Sequence, residues 1–253
     1  MKQNASIHSS HENDSALGAR HRVVLIGASN LTKGIGTVMG LAHHAFGQRL
    51  ELHVAQGHGR SYGAPSSLFG RQLPGIVQCG LWPALDRRTV PATSALVTDI
   101  GNDILYEQPV EQIAEWVEIV LDRLVAMGAR TVVTLLPEEN LPKISQARFL
   151  LMRSILVPRC RLSLETISER VRALNLVVRK LGSERGCTVV AQRSEWYGFD
   201  PIHIRFFHRA GAWGELLGAW FGPATSPSGA RNMPLRTAYL RIRAPEARRL
   251  WGI

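Results

Sequence analysis

Along this 253-residue chain, short apolar runs alternate with longer stretches whose apolar residues recur every three or four positions. Arg22-Val-Val-Leu-Ile-Gly27 is apolar at consecutive positions and stops at a glycine, the pattern of a strand buried on both faces. Leu50–Ala55, Ser94–Ile100, Arg130–Leu136 and Cys187–Ala191 repeat that pattern, which predicts five strands. Between the third and fourth, Ile113, Trp116, Val117, Val120, Leu121 and Leu124 lie on one helical face; Leu164, Ile167, Val171, Leu174, Val178 and Leu181 do so before the fifth. Parallel strands need long crossovers, usually helical. The alternation therefore predicts the α/β class, as a three-layer, doubly wound, mostly parallel five-stranded sheet.

Three segments stand outside this scheme. Residues 1–21 are rich in Ser, Asn and His and lack both an apolar run and an Arg-rich amphipathic pattern, so they read as a disordered lead-in and not a targeting signal. Leu141–Leu162 mixes apolar residues with Arg148, Arg153, Arg159 and Arg161 and reads as a helical insertion over a site. Residues 223–253 open with Pro, Ser and Gly and end basic, as a surface strand or an interaction arm. A single catalytic domain over residues 22–222 is the expected organisation.

Composition narrows the setting. No stretch reaches the roughly 18 apolar residues of a membrane span. Cys79, Cys160 and Cys187 are far apart with no Cys-x-x-Cys, so neither a disulfide framework nor a zinc site is suggested, and the expected location is the reducing cytoplasm. The formal charge of +10 raises the question of a polyanion partner. The arginines are dispersed, however, and the densest groups lack interleaved aromatics, which favours a solvated basic surface. Nucleic acid or an acidic surface remains open only for the basic tail, and no oligomeric state follows.

In open parallel sheets, ligands gather beyond the carboxyl ends of the strands. Polar residues cluster at four such ends: Gly27-Ala28-Ser29-Asn30, Gln56-Gly57-His58-Gly59-Arg60-Ser61, Ile100-Gly101-Asn102-Asp103 and Asp200-Pro201-Ile202-His203. Taken singly, each has a plain structural explanation. Ser29 or Asn30 could cap a helix, Asp200-Pro201 could start one, and the glycines could simply permit positive φ. Taken together they supply a hydroxyl nucleophile, an imidazole base, a carboxylate to orient it, and donors for an oxyanion. Rival motifs fail on their own requirements: Thr32 stands where a P-loop needs its second glycine, and Leu31 where a nucleophile elbow needs glycine.

The order and spacing of these four blocks resemble the SGNH, or GDSL-type, hydrolases from about Arg22 to His203. The resemblance implies a flavodoxin-like SGNH fold with Ser29 as nucleophile, Asp200 and His203 as its base system, and an oxyanion hole from Ser29, Gly59 (Gly57 as fallback) and Asn102. Two positions depart from the family pattern: Ala28 stands in place of the usual Asp, and Ile100 in place of the usual Gly. The implied activity is cofactor-independent ester hydrolysis through an acyl-enzyme, with no metal, on a small-molecule or glycan acyl ester. An acyltransferase or carbohydrate deacetylase, or a catalytically silent binding module, are the alternatives. Asn30, His58, Arg60 and Ser61 are the candidate substrate-binding residues, and the arginines of residues 148–161 point toward a polar or anionic acyl ester.

Overall fold

A computed structural model describes residues 21–47, 49–68, 71–85, 92–222 and 226–229. Residues 1–20 of the lead-in and most of the basic tail lie outside the described residues, while His21, expected to belong to the lead-in, starts the first strand. The chain runs β1 (His21–Ile26), α1 (Ser29–Phe46), β2 (Leu50–Ala55), a short hairpin of β3 (Ser66–Leu68) and β4 (Arg71–Leu73), α2 (Leu81–Leu85), β5 (Thr93–Val97), α3 (Asn102–Leu105), α4 (Val110–Ala126), β6 (Arg130–Thr134), α5 (Gln146–Leu156), α6 (Leu164–Glu184), β7 (Thr188–Val190) and α7 (Arg209–Leu216). The five long-range strands pair in the order β2-β1-β5-β6-β7, all parallel. All five predicted strands are present, within one to three residues at their ends. The β3–β4 hairpin was not foreseen, since three-residue strands carry no usable periodicity.

Alternation along β1 builds two cores. Val24 and Ile26 face one side with Ala95, Val97 and Val133, covered by the apolar stripes of α4 and α6. Val23 and Leu25 face the other with Leu96 and Val132, covered by α1 and α7. A strand flanked on both faces has no solvent side, so its sequence is continuously apolar. Close approach of α1 to α7 depends on Gly34, where a Cβ would stand 2.0 Å from the Trp213 ring nitrogen.

Topology sets the place of the site. From β1 the chain moves outward to β2, then returns past β1 to β5, so connections diverge between β1 and β5. That divergence opens a crevice beyond the carboxyl ends of these two strands. Ser29 begins α1 directly after β1, and Asn102 begins α3 shortly after β5. Among the described residues no helix is long and apolar enough to cross a membrane.

Candidate active site

The apolar run of β1 ends at Ile26, and two small residues, Gly27 and Ala28, turn the chain into α1 so that Ser29 is its first residue. The loop after Tyr197 returns to the same point. There Ser29 Oγ lies 2.9 Å from His203 Nε2, and His203 Nδ1 lies 2.5 Å from Asp200 Oδ2. The other Asp200 oxygen accepts the backbone N–H groups of Ile202 (3.1 Å) and His203 (3.2 Å), a turn that fixes carboxylate and imidazole on one side. Burial alone would push the Asp200 carboxyl up. The His203 bond and charge, the Ile202 N–H and the Lys33 ammonium outweigh it and hold the group below the ordinary carboxylate value.

Asp99 ties these loops together, and sequence reasoning missed it. One of its oxygens accepts from the backbone N–H of Ala28 (2.9 Å) and of Leu31 (3.0 Å); the other accepts from the Asn30 side-chain amide (2.9 Å). Ala28 occupies the N-cap of α1 but has no side chain able to bond the free N–H groups. A carboxylate from the end of β5 caps the helix in its place, where the helix dipole also favours negative charge. Asp99 does this from φ 58°, a left-handed conformation that Asp tolerates better than most residues.

Asn30 extends the brace. Its amide nitrogen donates to Asp99 and to the Ile202 carbonyl (2.9 Å), and its oxygen accepts the Ile204 N–H (2.9 Å). The side chain thus grips the chain on both sides of His203. Asn30 borders the cleft, but the substrate contact expected of it gives way to a positioning role, because donor and acceptor atoms are already engaged.

The second loop is fastened to α3. Gly59 has φ 65°, which glycine adopts without strain, and its carbonyl accepts the Tyr106 hydroxyl at 2.5 Å. Asn102 Nδ2 donates to the Arg60 carbonyl at 3.0 Å. An amide nitrogen carries two protons, so this bond leaves Asn102 a second donor. The same loop corrects the expectation for Arg60 and Ser61 as substrate contacts: both are 0 % exposed. Arg60 donates to the Gln56 carbonyl, and the Ser61 hydroxyl donates to Asp103. Charged and polar side chains following the candidate oxyanion-hole glycine were expected to face a ligand; here they turn inward and anchor the loop. His58 is exposed and does not line the cavity at Ser29.

That cavity, about 140 Å³, begins at Ser29 and Asn102 and runs beneath α5. Leu141–Leu162 does contain the helix expected over the site. Two of the arginines expected to attract an anionic substrate bond carbonyls of the protein: Arg148 those of Gly198 and Phe199 (2.8 Å to the latter), and Arg153 that of Leu162 (3.1 Å), while Arg159 and Arg161 are exposed and do not line the cavity. Among the described residues, no group of three His, Cys, Asp or Glu is placed to hold a metal.

In sequence the chain matches no family model and no curated protein. In structure it resembles a carbohydrate acetylesterase family member from Sinorhizobium meliloti, with TM-score 0.54, 14% identity, and coverage of 79% of this chain and 96% of that one. It also resembles the inhibitor-bound aryl esterase of M. smegmatis, with TM-score 0.53, 12% identity, and coverage of 79% and 97%. The chain shares the three-layer α/β fold of these structures.

Proposed function

We propose that this chain is a cofactor-independent serine ester hydrolase that forms an acyl-enzyme on Ser29. The observation that carries the reading is the continuous line of hydrogen bonds from Ser29 Oγ through His203 to Asp200, at the switch point of the sheet. Its likeness to a carbohydrate acetylesterase family member and to an aryl esterase supports the same class.

In this reading His203 Nε2 accepts the Ser29 proton as Oγ bonds to the ester carbonyl carbon. Asp200, charged across the neutral range, accepts from Nδ1–H, fixes the tautomer and stabilises the imidazolium. The carbonyl oxygen, now an oxyanion, meets the N–H groups of Ser29 and Gly59 and the second Asn102 amide proton. The intermediate collapses as the carbon–alkoxy bond breaks and His203 returns the proton to the leaving alcohol. Water then repeats the sequence: His203 takes its proton, the new oxygen bonds to carbon, and the acyl group leaves as a carboxylic acid with Ser29 restored. Preorganised donors of this kind are worth about 2.7–4 kcal/mol each to the transition state.

A fluorophosphonate probe tests the assignment directly, because Oγ displaces fluoride to leave a stable phosphoryl-serine. The expected result is labelling at one site, abolished in Ser29→Ala, together with a loss of at least about 10⁴-fold in p-nitrophenyl acetate turnover. Turnover near wild type in that variant would remove Ser29 from the mechanism.

A further inference from the structure

The cavity beneath α5 selects one kind of substrate arm. Its wall carries Ile104 and Leu105 from α3, Phe149, Met152 and Leu156 from α5, and Ile167 from α6. Every polar side chain that borders it beyond the nucleophile makes at least one hydrogen bond within the protein. Asp99 accepts three N–H donors. Asn30 is shared between Asp99 and the chain around His203. Arg153 donates to Leu162, Gln192 to the Leu135 carbonyl, and Tyr197 to Gln192. Asn102 retains a donor only at the mouth, where the reacting carbonyl lies. A sugar or other hydroxylated arm would surrender its water along this mostly apolar wall for few replacement bonds, the N–H groups that Arg153 does not give to Leu162 being the main donors left.

Which arm of the ester enters follows from the proton transfers. The leaving oxygen must reach His203 Nε2, and His203 is not part of the cavity wall. The leaving alcohol therefore lies on the His203 side, and the acyl arm lies in the cavity. Length follows from volume: an apolar cavity of about 150 Å³ holds a benzene ring, six carbons, and this one measures about 140 Å³.

Resting on the serine-hydrolase reading above, we infer that the substrate is an ester of an unbranched, apolar acyl group of medium length. Roughly five or six carbons beyond the carbonyl are housed under α5, and the alcohol is turned outward.

The test is the kcat/KM of the full chain on p-nitrophenyl esters from acetyl through hexanoyl and octanoyl to dodecanoyl. Each methylene taken from water should raise kcat/KM about fourfold, the equivalent of ~0.8 kcal/mol, up to hexanoyl or octanoyl, followed by a fall for dodecanoyl. Met152, half-buried on α5, lines this cavity. Met152→Trp should erase most of the gain for octanoyl, bringing the octanoyl-to-acetyl ratio of kcat/KM close to one. If that variant fails to fold, the rate at which a hexylphosphonofluoridate inactivates the wild type, Oγ displacing fluoride, compared with an ethylphosphonofluoridate, decides the matter. A profile that is flat or falls from acetyl onward, with Ser29 still labelled by the phosphonate, overturns the acyl-pocket assignment and leaves the serine hydrolase standing. Absence of both labelling and ester turnover overturns the catalytic reading itself.

Discussion

The floor and the roof of the cleft are built by different physics. On the floor, Asp99, Asn30, Asn102, Tyr106 and Asp103 each bond a backbone group of another loop, so Ser29, His203 and the Gly59 loop are located by directional contacts. The roof, α5, has a single buried residue, Phe149, while Leu150, Leu151 and Ile155 are exposed. Its polar ties are few: Ser145 caps its first turn, and Arg148 and Arg153 reach neighbouring carbonyls. Nucleophilic catalysis requires reacting atoms at near-bonding distance, where a displacement of about 1 Å costs about 10²-fold. An apolar arm requires only a dry wall that can part and close. On the reading proposed above, dense hydrogen bonding coincides with the proposed chemistry and sparse apolar packing with the proposed acyl cavity.

The sharpest way to break this comparison is to remove one charge at a time from the floor. Asp200→Asn keeps an oxygen for the Ile202 and His203 N–H groups, so the thermal melt should scarcely change. Turnover should fall by about 10⁴-fold, because the amide favours the wrong His203 tautomer and leaves the imidazolium uncompensated. Asp99→Asn should behave differently. An amide at this position cannot accept from Ala28, Leu31 and Asn30 together, so one of its N–H groups must face another donor. Loss of a charged hydrogen bond costs about 1.5–3 kcal/mol, and the released Asn30 loosens the chain beside His203. A drop of about 10²-fold in kcat, a lowered melt and an unchanged KM for a short ester are expected. Equal behaviour of the two variants, measured by melts and ester kinetics in parallel, would dissolve the distinction between orienting a base and bracing its loop.

How far the sequence discloses this floor depends on which atoms do the work. Ser29, Asn102, Asp200 and His203 stand out because their side chains are chemically uncommon just past apolar runs, and the fold brings Ser29, Asp200 and His203 within bonding distance. Asp99 stays hidden because the run Ser94–Ile100 reads as one strand, whereas β5 stops at Val97 and Asp99 turns to φ 58°. A boundary displaced by three residues is enough to conceal the central brace. Arg60 and Ser61 mislead for the opposite reason: polarity suggests exposure, but a loop can bury polar groups when it has partners for them. The roof is obscure because Phe149, Met152 and Leu156 on one side and Leu150, Leu151 and Ile155 on the other leave no single apolar stripe, so periodicity shows a helix without its inward face.

Asp103 offers a test of the floor through pH. It is 0 % exposed, and burial raises its carboxyl to about 6 even though Ser61 and the Tyr62 N–H, 2.8 Å away, pull in the other direction. The folded protein therefore holds this proton more tightly than the unfolded chain, whose value is the ordinary 3.8. Its contribution to stability is complete below the unfolded value and declines as pH rises through about 6, by about 3 kcal/mol in all. Asp200 has the opposite sign: its contribution is present above the ordinary value and is lost as pH falls through its depressed folded value. The two windows do not overlap. Asp103→Asn should accept the Tyr62 N–H and donate to Ser61, so the variant folds. The stability difference between wild type and variant, from urea melts, should then decline between about pH 4 and pH 7. A difference independent of pH would show Asp103 to be ionised in the fold throughout.

The smallest effect belongs to the outside of the roof, and it defines that end of the comparison. Leu151 and Ile155 are 50 % and 63 % exposed, so replacing both with glutamine removes little packing. Glutamine is about as good a helix former as leucine and somewhat better than isoleucine, so α5 should not weaken. The melt should shift by an amount equivalent to less than about 0.5 kcal/mol, the ordinary range for surface changes. Hydrolysis of acetyl and octanoyl esters should be unaltered, because the cavity is lined by Phe149, Met152 and Leu156 from the other side of the helix. A loss above about 1 kcal/mol would exceed what surface substitutions normally cause and would mean that this face is covered in solution. Melts at several protein concentrations would then separate a second copy of the chain, whose contribution depends on concentration, from a contact within one molecule, whose contribution does not.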